Sequence, residues 1–190
     1  MLRRPFAAFL TVVLVACAAC PGTLGAQRRP AGAARPAPVT APGEAVVTVL
    51  AYRGPRDPVT TASGFVITDG RVVTALRPLA GATKLEIYTT DGDLLGTATS
   101  LDAADARFGI VALPRLGKPQ GTLAFARKAA ALGDKVVLFL GPKGVTRGTA
   151  DAKVQAMEAG AEQSVVIRTG TAVAADAVGA PVLDATGTVV

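Results

Sequence analysis

The chain has 190 residues, of which 20 are lysine or arginine, 14 are aspartate or glutamate and none is histidine. Its hydrophobic fraction of 50% and charged fraction of 18% are those of a folded protein and exclude a chain that is disordered throughout. The lack of histidine excludes a histidine-dependent catalytic triad and a histidine-ligated metal site. The two cysteines are too few for a four-cysteine zinc site, so no cofactor is expected.

The first segment, residues 1–26, has the pattern of an export signal. Two arginines precede a predominantly apolar run, residues 6–16, which is too short to span a bilayer, since that takes about 20 residues. Two processing routes are open: cleavage after Ala26, or lipoprotein processing in which Cys17 of the sequence Leu-Val-Ala-Cys becomes lipidated. Either route predicts a mature chain that is periplasmic, secreted or lipid-anchored at a bacterial cell envelope. Contact with a membrane is then confined to this signal or its lipid.

The next segment, residues 27–44, is rich in proline, alanine and arginine and has no apolar periodicity. Its prolines oppose a helix, which predicts an extended linker. The remaining residues, 45–190, contain 15 basic and 13 acidic side chains. Because a nucleic-acid binder concentrates positive charge on its folded domain, this near balance predicts no nucleic-acid partner.

From residue 45 onwards, short runs rich in β-branched residues alternate with turn signals. Asp69-Gly70 and Asp91-Gly92 are hairpin signals, and residues 184–187 form a turn signal near the end of the chain. The predicted strands are residues 45–52, 64–68, 71–75, 84–89, 94–99, 108–113, 135–140, 164–169, 181–184 and 188–190. Their spacing predicts an all-β fold of two packed antiparallel β-barrels, residues 45–117 and 118–190, with a single irregular sandwich as the alternative.

Four sequence blocks stand in order along these strands. They are ASGFVI with Asp69-Gly70 (residues 62–70), VTALRPLAGA (73–82), DARFGIVAL (105–113) and DAVGAPVLDATG (176–187). Together they resemble the corresponding blocks of the trypsin-like serine proteases, in particular the bacterial HtrA/Deg branch. The resemblance covers nearly all of residues 45–190 and implies two six-stranded-type barrels. It also implies further strands after Thr188-Val189-Val190, so a second barrel that is truncated at the C-terminus is expected.

The resemblance places the family's catalytic histidine at Arg77, its aspartate at Arg107 and its nucleophilic serine at Val178. A guanidinium cannot accept a proton and a valine has no oxygen, so each position has lost its chemistry. Asp176 also replaces the first glycine of the turn whose N–H groups form the family's oxyanion hole. No base stands beside Ser63, Ser100 or Ser164, the only serines in the chain, so no substitute nucleophile is expected.

The family's fold would bring Arg77 and Arg107 together in the cleft between the barrels. Three arrangements are open. Asp176 could bridge the two arginines, a ligand carboxylate such as a peptide C-terminus could lie between them, or both side chains could extend into solvent.

The sequence therefore predicts an exported trypsin-like domain, a pseudoprotease, with a binding or scaffold role at the cell envelope. Its expected partners are extended peptides or envelope proteins. Two alternatives are an active serine endopeptidase that acts on envelope proteins, as the family implies, and a truncated fragment without a function of its own.

Overall fold

A computed structural model describes residues 42–54, 58–143, 146–159, 165–173 and 175–190. The predicted export signal with Cys17 and nearly all of the predicted linker lie outside these residues. Within the described part, no helix is long and apolar enough to cross a membrane.

The described residues form twelve β-strands and three short 3-10 helices. The strands are β1 (Val46–Tyr52), β2 (Pro58–Val66), β3 (Val72–Ala75), β4 (Lys84–Tyr88), β5 (Leu94–Ala98), β6 (Ala103–Asp105), β7 (Ile110–Leu113), β8 (Lys135–Lys143), β9 (Thr146–Lys153), β10 (Ala156–Ala159), β11 (Val165–Arg168) and β12 (Val182–Asp184). The 3-10 helices are Pro42–Ala45, Arg77–Leu79 and Ala175–Ala177. The prediction of an all-β fold is confirmed.

Strands β1 to β7 form one curled antiparallel sheet in the order β5-β4-β1-β2-β3-β7-β6. Alternate residues of β1, Val47, Val49 and Ala51, point into its concave side and are almost completely buried. Both predicted Asp-Gly hairpins are confirmed, because Gly70 and Gly92 close the β2–β3 and β4–β5 turns at φ 85° and 88°. Only glycine adopts these angles without strain.

Glu86 of β4 is the centre of a polar cluster on the first sheet. Its carboxylate accepts hydrogen bonds from Lys84 Nζ (2.9 Å), Tyr52 Oη (2.7 Å) and Tyr88 Oη (2.8 Å). The Lys84 ammonium also lies 4.3 Å from the centre of the Tyr52 ring. The hydrogen bonds from Lys84, Tyr52 and Tyr88 lower the pKa of Glu86 from 4.5 to about 2.

We expect the Glu86 cluster to make stability depend on pH. A carboxyl group whose pKa is lowered by folding stabilises the folded state at any pH above its pKa in the unfolded chain. For Glu86 this stabilisation is lost as the pH falls from 4.5 to about 2. The melting temperature of Glu86→Gln should therefore lie below that of the wild type at pH 7, and the difference should shrink towards pH 2. Glu158→Gln, which breaks an exposed pair with Arg168, should have a smaller effect at pH 7. A difference between Glu86→Gln and wild type that does not change with pH would contradict this assignment.

The second half of the chain forms a three-stranded sheet, β12-β8-β9, and a two-stranded sheet, β10-β11. The sequence did not predict β9, because Thr146–Lys153 contains no large apolar residue and thus no alternation. Its ladder with β8 imposes the extended conformation instead. The buried core of this half is small and consists of Ala130, Val136, Leu138 and Val154.

The predicted turn at residues 184–187 is confirmed. Gly187 has a φ of 80° and donates to Asp184 O, and Val189 pairs back onto Leu183. Burial opposes the ionisation of Asp184. Hydrogen bonds from Thr186 and Thr188 to its carboxylate outweigh burial and lower the pKa to about 2.

A third apolar cluster joins the two halves. Leu123, in the segment between β7 and β8, is 1% exposed, and its N–H donates to Val66 O at the end of β2. The cluster comprises Ala45, Val46, Phe65, Ile67, Val73, Leu123, Phe139, Leu183 and Val189. It therefore fixes the first sheet against the β12-β8-β9 sheet, and the candidate site lies beside it.

Candidate functional site

Arg77 lies just beyond the end of β3, at the first residue of the 3-10 helix Arg77–Leu79. The backbone before it is held to the start of β7, because Leu76 N donates to Gly109 O at 2.8 Å. The Arg77 side chain is exposed, and no carboxylate of the described residues lies within salt-bridge distance of it. Arg77 thus adopts the solvent-exposed arrangement among the three considered above.

Val178 follows the 3-10 helix Ala175–Ala177, and its turn is hydrogen-bonded to β2. Ser63 N donates to Val178 O (3.1 Å) and Ser63 Oγ donates to Asp176 O (3.0 Å). The hydroxyl of Thr74 in β3 donates in turn to Ser63 O (2.6 Å). Ser63 and Thr74 are each 1% exposed, so their hydroxyls hold this turn in place and are not free nucleophiles.

The turn also touches the strand that leads to Arg77. Gly179, at φ 92°, packs so closely that a Cβ there would lie 2.6 Å from Thr74 Oγ1 and 2.9 Å from Ala75 N. Ala75 is two residues before Arg77. The structure therefore brings the predicted histidine and serine positions to the same end of β3.

Arg107 lies on an exposed turn before β7. Asp105 Oδ1 accepts from Arg107 N (3.0 Å) and lies 3.5 Å from Arg107 Nε, and the guanidinium stands 5.5 Å from the centre of the Phe108 ring. Burial raises the pKa of Asp105, but hydrogen bonds from Arg107 and Phe108 outweigh it and leave the pKa lowered. The backbone N–H of Leu76, next to Arg77, donates to Gly109 O, two residues after Arg107. Only the register of β3 and β7 reveals this contact.

Bridging of the two arginines by Asp176 was one of the three arrangements considered, and none of the ion pairs seen among the described residues joins Asp176 to Arg77 or Arg107. Asp176 is half-buried, and its Oδ1 has no hydrogen-bond partner among the described residues. Arg107 pairs with Asp105 instead, because that carboxylate is only two residues away and already accepts from its backbone N–H. The turn therefore contains a carboxylate oxygen that accepts no hydrogen bond from the described residues, and its negative charge would repel a developing oxyanion.

The backbone N–H of Val178 is also engaged inside the turn. It donates to Ala175 O at 3.4 Å, and Ala180 N donates to Ala177 O at 2.9 Å. Both bonds tighten the 3-10 helix Ala175–Ala177. An N–H that is bonded inside its own turn is not presented to a substrate carbonyl, so the turn lacks this donor of an oxyanion hole.

Three apolar side chains near these positions are also exposed. Ile110, which pairs with Ala75, is 44% exposed, and Phe108 and Val178 are 47% and 43% exposed. No group of three or more His, Cys, Asp or Glu residues in the described segments could hold a metal ion. The site therefore combines apolar contact surface with the charge of Arg77, and it contains no nucleophile–base pair.

Comparison with known proteins agrees with this geometry. The trypsin-like peptidase domain family matches residues 62–190, which is well over half of the chain. A serine endoprotease from Yersinia pestis has a similar solved structure, with a TM-score of 0.65 and 17% sequence identity; the match covers 77% of this chain and 52% of that one. The chain thus spans about half the length of that protein, and no curated protein matches it. This chain belongs to the trypsin-like peptidase domain family.

Proposed function

We propose that the protein is an exported domain of trypsin-like fold that has lost peptidase activity and binds extended peptides or envelope proteins. The observation that carries this proposal is the absence of histidine from the chain, and the sequence resemblance, which assigns the family's histidine and serine positions to Arg77 and Val178, supports it. A guanidinium stays protonated at physiological pH and cannot serve as a base. A valine side chain offers no oxygen to attack a carbonyl carbon.

The third position supports the same proposal. By motif order it is Arg107, whose guanidinium is not a carboxylate. Asp105, the nearest acid in the chain, is engaged with Arg107. The internal bond of the Val178 N–H adds to these losses, because even an external nucleophile would find no complete oxyanion hole.

A binding role is supported by the exposed apolar side chains at the site, Phe108, Ile110 and Val178. Extended peptides with apolar side chains would cover this surface. Export is supported by the basic and apolar pattern of residues 1–26, and attachment through Cys17 remains part of this proposal. The domain that would carry out the function is residues 45–190, with the barrels at residues 45–117 and 118–190. The alternative of a serine endopeptidase has only family membership in its favour.

We expect the purified protein to leave a reduced, unfolded test protein such as α-lactalbumin intact and to show no labelling by a fluorophosphonate probe. The reason is that nucleophile, base and orienting acid are all missing, and loss of such a triad lowers kcat by roughly a millionfold. Active trypsin under the same conditions is the positive control. Labelling of the protein that disappears in Ser63→Ala, Ser100→Ala or Ser164→Ala would identify an active serine and refute the loss of activity.

The same incubation tests the binding role. The unfolded protein should co-elute with the domain in gel filtration, whereas the native, disulfide-bonded form of the same protein should not. An unfolded protein that stays intact but elutes separately would refute the binding role while leaving the loss of catalysis in place.

A further inference from the structure

A cavity of about 90 Å³ lies at one end of the first sheet. Its walls are the 3-10 helix Arg77–Leu79 with its flanking residues, the start of β4, and residues 98–101, where β5 ends and the chain turns towards β6. All of its lining residues lie between positions 76 and 101, so the first sheet and its connections form it. The volume is that of about three water molecules, at about 30 Å³ each, and thus of one aliphatic side chain and not of a whole peptide.

The inner wall of this cavity is apolar. Leu79, Leu85 and Ala98 line it and are buried members of the first sheet's core. Leu101 also lines it but is 43% exposed, so the apolar wall continues from the core to the protein surface. Water inside such a wall finds few hydrogen-bond partners, and an apolar group displaces it favourably.

The backbone around the cavity is fixed by hydrogen bonds. Leu79 N donates to Leu76 O and Ala82 N donates to Leu79 O, each at 3.0 Å. Arg53, just after β1, donates to Ala80 O through Nε (3.2 Å) and a terminal guanidinium nitrogen (2.9 Å). The cavity is therefore preformed, and a ligand would not have to pay for ordering this segment.

The uncompensated charge beside the cavity is positive. Lys84 lines the cavity, but its ammonium is paired with Glu86 at 2.9 Å. Arg77 stands in the chain between the lining residues Leu76 and Leu79, is exposed, and has no ion pair within the part of the chain that the structure describes. No described aspartate or glutamate lines the cavity. A ligand that brings a carboxylate to Arg77 would therefore supply the missing opposite charge, in the two-bond geometry that a guanidinium favours.

We propose that this cavity binds the C-terminal residue of a peptide that ends in leucine. The leucine side chain fills the cavity against Leu79, Leu85 and Leu101, and the terminal carboxylate pairs with Arg77. A C-terminal residue carries both groups on one Cα, which matches an apolar cavity directly beside an unpaired guanidinium. The inference rests on the proposed binding of extended peptides and names the class of peptide that is bound.

The test is fluorescence anisotropy with the whole protein and three labelled heptapeptides. They share six residues of alternating valine and threonine and end in leucine with a free carboxylate, in leucine amide, or in glycine with a free carboxylate. We expect the second and third peptides to bind about tenfold or more weakly than the first. The amide lacks the charge that strengthens hydrogen bonds, and glycine lacks the side chain whose burial favours binding.

Two variants separate the charge from the cavity. Arg77→Gln should bind leucine acid and leucine amide equally weakly, because only the pairing of the carboxylate is lost. The matched control Arg127→Gln removes an exposed arginine outside the cavity and should keep the tenfold preference for the acid.

Ala98→Leu should fill the cavity and reduce the affinity for the leucine acid to that for the glycine acid. Ala131→Leu adds the same atoms at an exposed site outside the cavity and should bind as the wild type does. Because Ala98 is buried, its circular dichroism spectrum and melting temperature are compared with those of the wild type. Leu101→Ser, at an exposed position of the cavity wall, should reduce the preference for leucine over glycine without a change in the fold.

The outcomes distinguish this inference from the proposed function. Equal binding of the three peptides, or unchanged preferences in Arg77→Gln and Leu101→Ser, would overturn the inference and leave the binding role in place. The same is true if none of the three peptides binds while the unfolded protein of the preceding test co-elutes with the domain. If neither the peptides nor the unfolded protein binds, the binding role is refuted as well.

Discussion

Replacement of Gly179 by alanine should lower the free energy of unfolding by about 3 kcal/mol or more, from the summed costs of a left-handed backbone angle and of overpacking. Gly179 has φ 92°, and a Cβ at this position would overlap Ser63 O and lie 2.6 Å from Thr74 Oγ1. Thr74 Oγ1 donates to Ser63 O between β3 and β2, and the same Ser63 attaches the Val178 turn through its N–H and hydroxyl. Because the neighbours are backbone and a bonded hydroxyl, they cannot move aside without breaking those bonds. Urea denaturation measures the loss.

Gly92→Ala is the matched control for this prediction. Gly92 has nearly the same backbone angle, φ 88°, but a Cβ there would meet no atom within 4 Å. Its substitution should cost only the backbone term, about 1 kcal/mol. If the two variants lose the same stability, the close contact of Gly179 with the first sheet is not a constraint on the fold, and the placement of the Val178 turn described above is refuted.

Leu123→Ala should have a comparable effect, a loss of about 3 kcal/mol, which is in the range for a buried leucine truncated to alanine. Leu123 is 1% exposed within the cluster that joins the two halves of the chain. Alanine would leave a cavity in that cluster, which also contains Phe65 and Phe139. Because the small core of the second half offers little stability of its own, we also expect the transition to broaden as the two halves unfold less cooperatively.

Leu132→Ala tests whether this loss comes from burial. Leu132 is 66% exposed, so removing its side chain should change the free energy of unfolding by less than about 0.5 kcal/mol. Urea midpoints and slopes of both variants are compared with those of the wild type. A Leu123→Ala variant as stable as Leu132→Ala would mean that the joining cluster contributes nothing, and the two halves would then be held together only by their backbone bonds.

The strands of the first sheet were predictable because their side chains alternate and their turns use glycine. Val47, Val49 and Ala51 alternate with residues of the other face, and Gly70 and Gly92 lie at angles that other residues avoid. Strand β9 was not predictable, since its small and polar residues are extended only because β8 pairs with them. Local patterns reveal a strand with its own apolar face, whereas a strand defined by its neighbour requires the tertiary structure.

The same distinction applies to the candidate site. Arg77 directly follows a buried strand and Val178 lies in a glycine-containing turn, so a motif locates both. The hydrogen bond from Leu76 N to Gly109 O depends on the register between β3 and β7, which the sequence alone does not reveal. The bridge to Asp176 could not be assessed from sequence either. The nearby Asp105 competes for Arg107, and only the tertiary structure tells which carboxylate is within reach.

The Glu86 cluster has a consequence for how the molecule can be observed. Tyr52 and Tyr88 are the only tyrosines of a chain without tryptophan, and both donate to the same carboxylate oxygen. Tyrosine fluorescence therefore comes from a single place in the first sheet, and the β12-β8-β9 sheet contributes no fluorescence. Far-UV circular dichroism reports both sheets. The denaturation midpoint measured by tyrosine emission can be compared with the midpoint measured by circular dichroism. The difference between them is an optical measure of how tightly the two halves are coupled, and it needs no added label.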